Sequence, residues 1–177
     1  MLTPTDVALL HCIALDAVRA EAEGATPAPL PDPLPEAMTR PGAAFVTLRR
    51  GGDLRGCVGH IEAKHPLWKS VQEMAAEAAH DSRFEPVRPE EVPALSIEIS
   101  VISPMERVTD SSGIRIGCDG LYIRCGEQTG LLLPQVATEW HWDRDTFLAQ
   151  TCRKAGLPPD AWRDPAAQIF RFTAEII

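Results

Sequence analysis

The stretch Ala44-Phe45-Val46-Thr47-Leu48-Arg49-Arg50-Gly51-Gly52-Asp53-Leu54-Arg55-Gly56-Cys57-Val58 reads as a β-hairpin. β-Formers alternate from Ala44 to Arg49, Arg50-Gly51-Gly52-Asp53 makes the turn, and Leu54 to Val58 returns. Leu95-Ser96-Ile97-Glu98-Ile99-Ser100-Val101 alternates without a break, which predicts a strand with one buried and one polar face. Before the hairpin, Thr3-Pro4-Thr5-Asp6 is a helix start, and Val7, Leu10, Ala14, Ala17 and Val18 keep helical spacing up to Gly24. Six prolines between Thr26 and Pro41 remove too many donors for a helix or a central strand, so residues 26–41 are expected as an extended surface connection.

After the hairpin, Pro66 opens a helix whose Leu67, Val71, Met74, Ala75 and Ala78 face one way through His80. Pro89-Glu90-Glu91 begins a short helical turn. Gly113 to Gly117, Leu121 to Cys125 and Leu131 to Leu133 read as a small meander, followed by a helical turn from Pro134 to Trp140. Asp143 caps a helix carrying Phe147, Leu148, Thr151, Cys152 and Ala155 on one face up to Gly156, and Gln168 to Ile177 alternates as a closing strand. With no regular βαβ period, the pattern is α+β: a mostly antiparallel sheet with flanking helices.

A chain of 177 residues fits one domain, here 1–177, with a buried core. Its formal charge of -8 argues against broad binding to nucleic acid or anionic lipid. No apolar run approaches the roughly 20 residues that span a bilayer, and Met1 to Asp6 lacks the profile of a secretion signal. Five cysteines cannot all pair within one chain, so a reduced, cytoplasmic protein is expected.

Within the hairpin, Leu54-Arg55-Gly56-Cys57-Val58-Gly59 places one cysteine between two glycines, two residues after a permanent cation. Glycine lets the backbone take positive φ and lets another group come close. A guanidinium beside a thiol favours thiolate, so Cys57 is a candidate nucleophile and Arg55 a candidate anion clamp, with Gly56 and Gly59 as approach surface. The plainer reading of the same residues is a buried strand whose cysteine packs as a small hydrophobe.

A nucleophilic cysteine needs a base, and His60, His80 and His141 are the candidates; His60 reaches the thiol only if Gly59 turns the chain. Arg83, in Asp81-Ser82-Arg83-Phe84, is a candidate ligand contact, as are Gln135 and Glu139, four apart after Pro134. Cys57-x-x-His60 lacks a second pair at zinc spacing, so no metal is expected. With no P-loop, dinucleotide fingerprint or Gly-x-Ser-x-Gly elbow, no cofactor is expected either.

Together with Ile97 to Val101, Gly130-Leu131-Leu132-Leu133-Pro134-Gln135-Val136-Ala137, Trp142-Asp143 and Cys152-Arg153-Lys154-Ala155-Gly156-Leu157, these segments resemble the AMMECR domain family. Its hallmark hexapeptide, Leu-Arg-Gly-Cys-Ile-Gly, is matched here with Val58 in place of isoleucine, while His60 and Cys118 fall outside its pattern. The resemblance covers nearly the whole chain. It implies two unequal lobes with the hexapeptide near a cleft between them, and, for prokaryotic members, partners of the Memo-like and radical S-adenosylmethionine types. It implies no established reaction. The function expected is therefore a thiol-dependent enzyme or binder of a small anionic ligand, with a non-catalytic protein-binding adaptor as the alternative.

Overall fold

The structure is a computed structural model, and residues 2–177 are described. The chain divides into two compact units of unequal length, one running to Ile102 and joined by Glu175–Ile177, the other comprising Ser103–Ala174.

The first unit opens with helix α1 (Pro4–Glu23). Thr3 caps it as expected, and Asp6 completes a capping box: Asp6 N–H donates to Thr3 Oγ1 at 3.2 Å, and Thr3 N–H to Asp6 Oδ2 at 2.8 Å. Gly24, at φ 64°, closes it in the left-handed conformation. The proline-rich connection is draped on the core. Ala28 N–H donates to Asp16, Leu30 and Leu34 pack on the core, and Met38 is fully buried on a short helix, α2 (Glu36–Thr39). That single turn was not expected among prolines; it fits because the last of the closely spaced prolines, Pro35, precedes it, where a missing N–H costs nothing.

Strands β1 (Ala43–Arg50) and β2 (Asp53–Gly59) form the hairpin, with a register shift at Leu48/Arg49. Helix α3 (Leu67–Ala78) follows, burying Leu67, Val71, Met74, Ala75 and Ala78 as their spacing predicts. After a 3-10 turn over Pro89–Ala94 comes β3 (Leu95–Ile102), paired antiparallel with β1 along its length. Ala44, Val46, Leu48 and Ile99 join α1 and α3 in one core. Phe45, Thr47, Cys57, Gly59 and Glu98 lie in register on the other face.

The second unit holds β4 (Glu106–Arg107), β5 (Gly120–Cys125) and β6 (Gln128–Leu132), helices α4 (Pro134–Glu139) and α5 (Arg144–Lys154), and β7 (Gln168–Phe172), its sheet ordered β4-β7-β5-β6. Gly113 to Gly117 is not a strand: Ser111–Gly113 is a 3-10 turn capped by Asp110, and Arg115 N–H turns back onto the buried Asp119 carboxylate at 2.9 Å. Asp143 caps α5 through Thr146 N–H at 2.8 Å, and Phe147, Leu148 and Cys152 enter this unit's core.

The closing alternation is two strands, not one. Ser103 and Thr173 hold each other at the break: Ser103 N–H donates to Thr173 O, and Thr173 N–H to Ser103 Oγ, both at 2.9 Å. Beyond it, β8 (Ala174–Ile176) joins the first sheet, whose order is β2-β1-β3-β8. An unbroken period of two carries no mark of where one sheet ends and the other begins.

Candidate functional site

β2 is an edge strand, with a row of main-chain groups that no neighbouring strand satisfies. Loop Asp81-Ser82-Arg83 takes that role at Cys57. The Asp81 carboxylate accepts Cys57 N–H at 2.9 Å, and Arg83 donates to Cys57 O at 3.4 Å. Arg83 also grips Asp81 through Nε and Nη2, at 3.0 and 2.6 Å. The guanidinium bonds of Arg83, with the N–H of Cys57 behind them, hold the Asp81 carboxyl far below the usual carboxylate range. Asp81 is buried, whereas the Arg83 side chain is 57% exposed, which leaves its outer face open to solvent.

Arg55 does not meet the thiol as its spacing suggested. Its Nε and Nη2 clasp Glu91 at 3.2 and 3.1 Å, and Nη2 also donates to Pro86 O at 3.2 Å. Glu91 is 5% exposed and takes Arg50 Nη1 and Arg88 N–H as well, each within 3.0 Å. The Arg55 bonds come first and the Arg88 N–H second in lowering the Glu91 carboxyl to about 2. A fork that is spent on a buried carboxylate is not free for a ligand's. The expected anion clamp is thus a tie between β2 and the 3-10 turn.

The glycines are likewise used within the fold. Neither Gly56 nor Gly59 has positive φ. A Cβ on Gly56 would lie 2.1 Å from the Ala78 carbonyl oxygen, at the end of α3. One on Gly59 would lie 2.2 Å from the ring of Phe45, its cross-strand partner. What approaches these two backbones is the chain's own helix and ring, so the ligand approach surface expected there is filled.

Cys57 itself is half-buried, and its sulfur accepts a hydrogen bond from Thr47 Oγ1, directly across the hairpin, at 3.3 Å. Glu98 continues that row on β3. The Asp81 carboxylate holds Arg83 in its charged form. Arg83 is the guanidinium bonded to the Cys57 main chain. Among the described residues no histidine bonds the thiol. Gly59 does not turn the chain, and His60 donates its main-chain N–H to Ala44 O while Nε2 is buried without a partner. His80 Nε2 pairs with Glu21 at 2.9 Å. His141, at φ 52°, lies in the second unit between the stacked Trp140 and Trp142, and Gln135 and Glu139 lie on α4 of that unit. No group of three or more His, Cys, Asp or Glu side chains among the described residues is placed to hold a metal.

Thr47, Asp81 and Glu91 were not singled out from sequence. Thr47 was within reach of hairpin register, but the irregularity at Leu48/Arg49 shifts the count. Asp81, on a loop, and Glu91, on the 3-10 turn, lie 24 and 36 residues from their β2 partners, a separation that no local pattern encodes.

The AMMECR1 family model matches residues 11–177. The chain belongs to the AMMECR1 family. A protein of Methanothermobacter thermautotrophicus is 45% identical over 171 residues, covering 93% of this chain and 89% of that one. Protein TK0174 of Thermococcus kodakarensis is 46% identical over 157 residues, covering 82% and 77%. Among solved structures, the crystal structure of uncharacterized protein PH0010 from Pyrococcus horikoshii matches with a TM-score of 0.87 at 38% identity, covering 94% of this chain and 88% of that chain. In this chain residues 54–59 are tied into the fold through Arg55, Gly56, Gly59 and the Cys57 main chain. No helix among the described residues is long and apolar enough to cross a membrane.

Asp81 and Glu91 also set an acid limit on the first unit. Both carboxyls ionise more readily folded than unfolded, so their contribution is complete above about pH 5 and is lost as the pH falls through the folded values. Circular dichroism during acid titration should show unfolding in that range. Glu91→Gln, compared with wild type, should flatten the slope.

Proposed function

We propose that this AMMECR1-family chain is a thiol-dependent enzyme or binder of small anionic molecules, with Cys57 as the reacting or ligand-facing sulfur and Arg83 as its cation. One observation carries the reading. Arg55, Gly56, Gly59 and the main chain of Cys57 all have partners within the fold, while the half-buried sulfur takes a single hydrogen bond, from Thr47, and the exposed Arg83 side chain is anchored at the Cys57 carbonyl. A reduced, half-buried sulfur is the group at this position that can attack an electrophile or bind a soft ligand. The family resemblance supports action alongside Memo-like and radical S-adenosylmethionine proteins.

A protein-binding adaptor is the second reading. It is favoured by a groove of about 330 Å³ between α1 and the proline-rich connection, lined by Leu9, Ile13, Leu15 and Leu30. Cys57→Ser separates the two. In a host whose own copy is replaced, a thiol-dependent protein should keep its melting temperature and give the metabolite changes of the deletion strain. An adaptor should leave those metabolites as in wild type.

A further inference from the structure

The second unit carries a cavity of about 490 Å³ that belongs to no part of the Cys57 site. Its walls are Arg107, Val108, Thr109, Ser111, Trp162 and Ile169, and its volume lies within the range of roughly 300–1,000 Å³ typical of small-molecule sites. The floor is fixed: Val108 N–H donates to Ile169 O at 2.8 Å, and Val108, Trp162 and Ile169 all pack on the unit's core.

Three carboxylates near the lining in sequence have hydrogen-bond partners, although only Glu106 is paired with a cation among the described residues. Glu106 is held by Arg171 at 2.9 Å, Asp110 accepts Ser112 N–H and its hydroxyl, and Asp164 accepts Ala166 N–H at 2.8 Å. Arg107, by contrast, makes no side-chain hydrogen bond or ion pair with a described residue, and the hydroxyls of Thr109 and Ser111 are also uncommitted. Arg163 lies over one face of the Trp162 indole, 4.6 Å from its centroid. An indole wall, two free hydroxyls and an unpaired fork suit a flat ring with an acidic group at its edge.

We propose that this cavity binds a planar heteroaromatic ring bearing a phosphate or carboxylate, the ring packed on Trp162 and the anion held by Arg107. Adenosine 5′-monophosphate and indole-3-acetate probe the two anions, with adenosine and inorganic phosphate as the halves of the first. Isothermal titration of the full chain should show saturable binding of at least one of the two aromatic anions. Adenosine and phosphate should each bind at least about tenfold more weakly than adenosine 5′-monophosphate if that probe binds. Arg107→Gln should weaken the binding anion by about tenfold or more, as loss of a charged hydrogen bond implies.

Arg107 is exposed, so this variant reads binding and not folding. Trp162→Leu should lose affinity to a similar extent, and Trp162→Phe, which keeps a ring, should recover most of it. Saturation by neither aromatic anion, phosphate binding as tightly as adenosine 5′-monophosphate, or unchanged affinity in Arg107→Gln would each overturn the proposal.

Discussion

Gly56→Ala should destabilise the first unit by about 3 kcal/mol or more, read as the shift of the urea unfolding midpoint. The added methyl would sit 2.1 Å from the Ala78 carbonyl oxygen, and that oxygen is main chain at the end of α3, not the tip of a side chain that can swing away. Either α3 moves off the sheet or β2 buckles, and each takes Leu67, Val71, Met74 and Ala75 out of register with the core. Cys57→Ala is the informative neighbour. It removes a half-buried sulfur and one hydroxyl contact, so it should cost about 1 kcal/mol or less. A Cys57→Ala variant as unstable as Gly56→Ala would make the sulfur one more packing atom.

Glu91→Ala is the second large effect. Its carboxylate is buried and takes hydrogen bonds from Arg50, Arg55 and the Arg88 N–H. Removing it strands the Arg55 guanidinium, only 14% exposed, with one carbonyl, that of Pro86, as partner. Breaking a buried pair from one side typically costs about 3–5 kcal/mol. Arg50, 54% exposed, can turn to water and adds little. Glu91→Gln should fall between, since the amide keeps one acceptor. The double variant Glu91→Ala/Arg55→Leu should recover part of the loss. If it is no more stable than Glu91→Ala, Arg55 is not what Glu91 holds.

Elements with a local cause were legible in the chain. The Thr3/Asp6 box, the stop at Gly24, the buried face of α3, the hairpin and the cap at Asp143 each follow from residues within a turn or two of one another. The partition of Gln168–Ile177 between two sheets was not, because Phe170, Phe172 and Ala174 keep the same alternation through the break. The site shows the same divide. Sequence singled out the hexapeptide but paired its cysteine with the cation nearest along the chain. In a strand Arg55 and Cys57 do share a face; a buried acid 36 residues away turns the guanidinium aside, and a loop 26 residues away brings Arg83 in.

The rate at which iodoacetamide modifies Cys57, followed by mass spectrometry of its peptide in the native chain, reads the division between Arg55 and Arg83 without knowledge of any substrate. Cys57 should react in the folded protein, and Arg83→Gln should slow it by about threefold or more while far-ultraviolet circular dichroism is unchanged. A sulfur that reacts only once the chain unfolds, or one slowed by a folded Arg55→Gln variant and indifferent to Arg83→Gln, would contradict that division.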